Sequence, residues 1–279
     1  ALGRYALGEN TTGTQNTAVG ALALDANTTG VNNVAVGYES MGAMQTGEQN
    51  VAIGTGALDA NTGGSYNVAV GHFALSSSTG GNNVAVGRSA GLSITSGANN
   101  VAVGQEAMKQ TTTANNNVAI GYESLQANTT GTENVVIGAN AADAGTDISN
   151  TVAVGYNALT SCTTNHNTAV GSKALEDTTS GSSNVAVGSL SLTDNITGIN
   201  NVAVGMSALR YGTAGSDNAA LGSGALQNNT ASNNTAVGRS ALNANTSGHS
   251  NTALGHETLK DATGTENTAV GRLSQKVTT

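Results

Sequence analysis

The chain has 279 residues, of which 38 are glycine, none is proline or tryptophan, and only 3% are aromatic. So small a supply of large side chains excludes a thick globular core, and a single cysteine, Cys162, excludes a disulfide-stapled framework. The net charge of −8 argues against nucleic acid as a partner, and it helps to keep identical chains from clumping.

In chain order the first element is the end of a phrase, Ala1-Leu2-Gly3, and the phrase then returns in full at Asn16-Thr17-Ala18-Val19-Gly20. It returns again at Asn33-Val34-Ala35-Val36-Gly37 and at Asn50-Val51-Ala52-Ile53-Gly54. The closing glycine recurs at residues 3, 20, 37, 54, 71, 87, 104, 121, 138, 155, 171, 188, 205, 222, 238, 255 and 271, seventeen copies spaced by 17 or 16 residues. With that glycine as position 0, −1 is Val, Ile or Leu, −2 is nearly always Ala, −3 is mostly Val with Thr in some copies and −4 is almost always Asn. A small residue follows at +3 and usually Leu at +4, as in Ala23-Leu24 and Ser124-Leu125. A polar stretch such as Asn27-Thr28-Thr29-Gly30 closes each copy.

Val-Ala-Val is a short strand signal, β-branched, alternating and bounded by Asn and Gly. The Ala-Leu pair with its flanks predicts a second short strand, and the Asn, Thr and Gly stretches carry turn chemistry. One copy cannot close a core alone; stacked copies bury one another's apolar columns. Helical repeats need about 33 to 47 residues and better helix formers than Val, Thr, Asn and Gly. The expectation is therefore all-β: a parallel β-solenoid of seventeen coils, 16 or 17 residues each, flattened into a two-sided roll. At about 4.8 Å per coil it would be a rod roughly 80 Å long. The array fills residues 1–279 as a single repeat domain, with no second domain.

All 26 charged residues avoid the window from −4 to 0. Both faces of the predicted strand are nevertheless apolar, so one face lines the roll and the other needs a cover along its length. Another copy of the chain is the plainest cover, and the Ala at −2 suits close approach of two backbones. The structural columns in two well-formed copies are Asn33, Val34, Ala35, Val36 and Gly37, and Asn117, Val118, Ala119, Ile120 and Gly121 with Leu125. The Asn at −4 reads as an amide ladder that satisfies neighbouring backbone groups. One copy is irregular: Val136 replaces Ala, Ala141-Ala142 replaces Ala-Leu, and the Asn moves to Asn150 at −5, which predicts a local bulge or bend.

The repeated Asn-x-Val-Ala-(Ile/Val)-Gly phrase, closest at residues 50–54 and 117–121, resembles the YadA-like head repeats of trimeric autotransporter adhesins. The Thr-Ala-Val-Gly-x-x-Ala-Leu arrays are similar to those in fibre and spike proteins of tailed phages. The resemblance covers essentially the whole chain. It implies a left-handed β-roll, a homotrimer, an extracellular place on a cell-surface appendage or virion tail fibre, and attachment to a host-surface receptor, glycan or protein. These copies are longer than those of the adhesin heads, which implies longer turns.

Sites of chemistry are not evident. His72, His166, His249 and His256 lack metal-ligand spacing, and the pairs Glu176-Asp177 and Glu257 with Asp261 fall on a solvated face without a pocket-forming insertion. Neither the calcium-binding Gly-Gly-x-Gly-x-Asp phrase nor a phosphate-cradling Gly-x-x-x-x-Gly-Lys-(Ser/Thr) occurs. No catalytic residue, cofactor or metal is expected, and no apolar run approaches the ~20 residues of a membrane span. Cys162 reads as a tolerated substitution in a polar turn, and Asn-x-Ser/Thr triplets such as Asn128-Thr129-Thr130 and Asn195-Ile196-Thr197 as chance. The chain opens inside a copy, which reads as a fragment or processed product. The expected function is a structural or adhesive fibre. The alternative is a single-chain or trimeric module whose side binds a ligand, glycan or protein; ice ranks third because the Thr residues sit in turns and at the mixed −3 column and are read as forming no clean ladder.

Overall fold

The computed structural model describes residues 1–275. The chain divides into two compact units, Ala1–Ala139 and Asn140–Thr279. Unit 1 contains β1 (Thr17–Val19), β2 (Val34–Val36), β3 (Val51–Ile53), β4 (Val68–Val70), β5 (Val84–Val86), β6 (Val101–Val103), β7 (Val118–Ile120) and β8 (Val135–Ile137). Unit 2 contains β9 (Val152–Val154), β10 (Thr168–Val170), β11 (Val185–Val187), β12 (Val202–Val204), β13 (Ala219–Leu221), β14 (Thr235–Val237), β15 (Thr252–Leu254) and β16 (Thr268–Val270). In each unit every strand pairs in parallel with the next along the chain, and equivalent positions face one another: Ala18 with Ala35, Ala52 with Ala69, Ala186 with Ala203. This is an all-β parallel solenoid without a helix among the described residues.

Among the described residues sixteen phrase strands form, one fewer than the seventeen closing glycines. The copy ending at Gly3 has only Ala1 and Leu2 before its glycine, and Leu2 makes an isolated parallel bridge to Val19.

Strands within the stack stop at their closing glycine for two separate reasons, as at Gly37. Gly37 has φ +136°, a region that L side chains rarely adopt, and a Cβ there would stand 2.6 Å from the carbonyl oxygen of Gly54 in the next coil. No other residue fits both conditions, which is why the phrase always ends the same way.

The predicted second strand is absent among the described residues. After the glycine the chain makes successive turns, with positive φ at +2 and +4: Leu22 at +61° and Leu24 at +50°, repeated at Glu39 and Met41. Extended backbone would point Ala23 and Leu24 to opposite faces. The left-handed residue at +4 turns both inward, and both are fully buried. A left-handed conformation costs roughly 1–2 kcal/mol for a residue with a Cβ. Burying a leucine contributes about 1.5–3 kcal/mol, enough to offset it. Backbone hydrogen bonds still run between coils here, such as the Leu24 N–H donating to the Ser40 carbonyl at 3.0 Å. Where Ser or Thr replaces Ala at +3, its hydroxyl is satisfied nearby; Ser40 donates to the Ala52 carbonyl at 3.0 Å and Ser191 to the Gly188 carbonyl at 2.8 Å.

The core is correspondingly thin. It is built from Ala at −2 and +3, Leu or Met at +4, the Asn at −4, and a further column at +7. That last column mixes Asn27, Met44, Asn61, Ser78, Ile94, Thr111 and Asn128, and all are fully buried.

Candidate functional site

The two faces of each strand have different surroundings. Ala18, Ala35, Ala52 and Ala119 at −2 are completely buried, so the small residue serves the thin interior and not a seam between backbones. The −3 and −1 side chains point outward. Val34 and Val36 are half-buried, whereas Ile53, Ile120 and Ile137 keep 42%, 37% and 37% of their surface. In unit 2, Val202, Leu221 and Leu254 keep 44%, 51% and 46%. A single exposed valine calls for no explanation; two parallel columns of them, free of any charge, do.

This face has a polar border. Position +1 beside it carries Arg4, Arg88 and Arg239 together with Tyr38, Tyr122 and Tyr156, and position −5 on its other side carries Glu133, Asp217 and Glu266. An apolar centre with a charged and aromatic rim is the anatomy of an association surface. The outward columns differ between units. In unit 1, −3 is Val in every strand except β1, where it is Thr17. In unit 2, Thr168, Thr235, Thr252 and Thr268 enter that column.

The Asn ladder is internal. Asn33 accepts the backbone N–H of Asn50 on Oδ1 at 3.0 Å and donates its Nδ2 to the Gly47 carbonyl at 2.8 Å. Asn117 does the same with Asn134, at 3.0 Å, and with Gly131, at 2.9 Å. One amide thus completes a donor and an acceptor of the next coil where no strand pairing reaches. Asp lacks the donor, so it cannot serve both partners. Unit 2 repeats the pattern from Asn167 to Asn267.

The irregular copy contains no bulge in its strands. Val136 sits fully buried in the Ala column, opposite Ala119. Thr151 takes the buried −4 place, and β9 pairs with β10 in the ordinary register. Asn150 lies exposed at −5 with φ +53°, matching Gln49 at +56°. The missing Asn has been replaced in its column, and the backbone has not shifted to follow it.

The turns also depart from expectation. Cys162 occupies the buried +7 column, where its thiol donates to the Thr164 carbonyl at 3.2 Å, so it is an interior residue and not a turn substitution. A clean Thr column does exist, at +8: Thr11, Thr28, Thr79, Thr95, Thr112 and Thr163 among others. Many of its hydroxyls donate to the next coil, as Thr28 to the Gln45 carbonyl at 3.1 Å and Thr95 to the Thr112 carbonyl at 3.1 Å. Four of the Asn-x-Ser/Thr triplets place their Asn, Asn27, Asn128, Asn195 and Asn245, in the buried +7 column, each donating to a carbonyl three residues on, whereas Asn10 and Asn233 of two others are exposed. In the folded chain the four buried amides are out of reach of a modifying enzyme.

The remaining polar candidates stay apart. Glu176 pairs with Lys173 at 3.2 Å and accepts from Asn157 at 3.0 Å, and Glu257 pairs with Lys260 at 3.3 Å. Glu106 lies between Arg88, at 2.8 Å, and Lys109, at 2.9 Å, and these cations hold its carboxyl below the usual range, Lys109 most of all. Burial, then the charges of Glu39 and Asp25, pushes the Asp59 carboxyl up. Among the described residues no group of three or more His, Cys, Asp and Glu could hold a metal ion, and no helix is long and apolar enough to cross a membrane. No protein-family model matches the chain, and no curated protein matches it.

Proposed function

We propose that the chain is the rod of a structural and adhesive fibre, in which identical copies associate along the outward sheet face. The observation that carries this reading is the pair of charge-free aliphatic columns at −3 and −1, left uncovered in the single chain. A second copy suits them better than an unrelated partner does, because only an identical coil period keeps two columns in step over many coils. The number three, the left hand of the coil, and the place on an extracellular appendage or virion tail fibre follow from the resemblance to YadA-like heads and phage fibres. In that setting the fibre holds or presents a contact to a host surface.

The test is a paired outward substitution, Val36→Glu with Ile53→Glu, set against Ala52→Glu. The outward pair is expected to leave the β-sheet circular dichroism unchanged and to yield single chains. The inward change places an unpaired charge in a dry core and is expected to unfold its coils. Outward variants that associate like the parent would remove this face as the seam.

A further inference from the structure

All seven aromatic side chains, Tyr5, Tyr38, Tyr66, Phe73, Tyr122, Tyr156 and Tyr211, are exposed, by 38% to 59%. The buried columns are filled by Ala, Leu, Asn and other side chains without a ring, so the aromatics all lie on the surface. Two of them border a cavity. In the +1 column Ala21 stands between two long side chains, Arg4 one coil before and Tyr38 one coil after. The gap is a notch of about 280 Å³ lined by Arg4, Tyr5, Ala21, Leu22 and Tyr38.

We propose that this notch binds one neutral saccharide ring. Its floor, Ala21 and Leu22, is small and apolar. One wall is Tyr38, and the other is Tyr5 with the Arg4 guanidinium 4.8 Å over its ring. A sugar ring is an amphipathic disc: its C–H face lies on an aromatic ring or apolar floor while its hydroxyl edge seeks donors and acceptors. The rim supplies both. Arg4 spends one donor on the Tyr5 hydroxyl at 3.3 Å and has others to give, and the Glu39 carboxylate follows Tyr38 in sequence. Hydrogen bonding to Glu39 pushes the Tyr38 phenol up from its ordinary range. The volume lies at the lower limit of small-molecule sites, enough for a single ring and not for a peptide. The acid at the rim and the net charge of −8 disfavour a phosphorylated or sulfated ligand. The notch lies in the +1 column that borders the proposed seam, but one chain alone lines it, so a glycoside signal and the chain's native mass can be read apart.

The experiment is saturation-transfer NMR on the whole chain with the methyl glycosides of glucose, galactose, mannose and N-acetylglucosamine, each at millimolar concentration. At least one is expected to receive saturation from the protein. The +1 column accepts Tyr, Arg, Gln, Met and Ser elsewhere in the array, so Ala21→Gln fills the notch without touching the core. It is expected to weaken the signal at least tenfold with unchanged circular dichroism. Tyr38→Phe should keep most of the transfer and Tyr38→Ala lose it, while Tyr211→Ala should have no effect. Silence from all four glycosides, or a signal indifferent to Ala21→Gln, overturns the proposal.

Discussion

Replacing Asn33 by alanine removes one side chain and strands two backbone groups. The N–H of Asn50 loses its acceptor at 3.0 Å and the carbonyl of Gly47 loses its donor at 2.8 Å. Both residues are buried, and each orphaned group costs about 1–3 kcal/mol, so the expected loss is about 2–6 kcal/mol, less if a water enters the space. Asn33→Asp separates the two halves of the argument. A carboxylate still accepts from Asn50 but faces the Gly47 oxygen with no proton to offer. Its folded pKa must rise above the unfolded value of about 3.9. The folded state then binds the proton more tightly, so stability falls as pH rises from the unfolded pKa through the folded one and recovers in acid. Denaturant unfolding followed by circular dichroism gives the size, and hydrogen exchange at the Asn50 amide gives the place. An alanine variant within about 0.5 kcal/mol of the parent, or an aspartate variant with no acid recovery, would refute the ladder as a source of stability.

Other outcomes follow from the same columns. Gly37→Ala should prevent its coil from closing, because φ +136° alone costs about 1–3 kcal/mol and a Cβ also meets the Gly54 oxygen at 2.6 Å; loss of strand signal in circular dichroism and faster proteolysis check it. Asp59→Asn should raise the melting temperature at pH 7, since burial, Glu39 and Asp25 all oppose its charge, and the gain should vanish in acid below both pKa values, where the parent carboxyl is neutral. The buried Cys162 thiol should react with a thiol reagent only after denaturation. Deleting residues 55–104 removes three whole coils and joins Gly54 to Gln105 in step, so the shortened chain should keep its β spectrum and its ability to associate.

Much of the coil is legible in the sequence because its constraints act within one copy. Gly37 must be glycine, Ala35 must be small and Asn33 must both donate and accept, and each constraint leaves a near-constant column. The turns after the glycine are harder to read, because Ala23-Leu24 has the composition of a β pair. Two adjacent apolar residues that are both buried instead require a left-handed residue, and Gly91 at +4 and Gly56 at +2 are the visible trace of it. The +7 column is hidden because its members share burial without sharing chemistry. Asn27, Met44, Ile94 and Cys162 all fit a space that selects for size and tolerates polarity when a neighbouring carbonyl can be reached. A three-residue strand with apolar residues on both sides does not encode its own direction. Nothing in Val-Ala-Val says which side is inside until the +3, +4 and +7 residues are seen to join Ala at −2.

We propose that the outward valine columns are covered by further copies of the same chain. The native mass of the purified chain in solution, measured by light scattering alongside its far-ultraviolet circular dichroism, tests it most directly. A β spectrum with the mass of three chains is the predicted result. The same spectrum with the mass of one chain would contradict it, leaving those columns bare or open to a different partner.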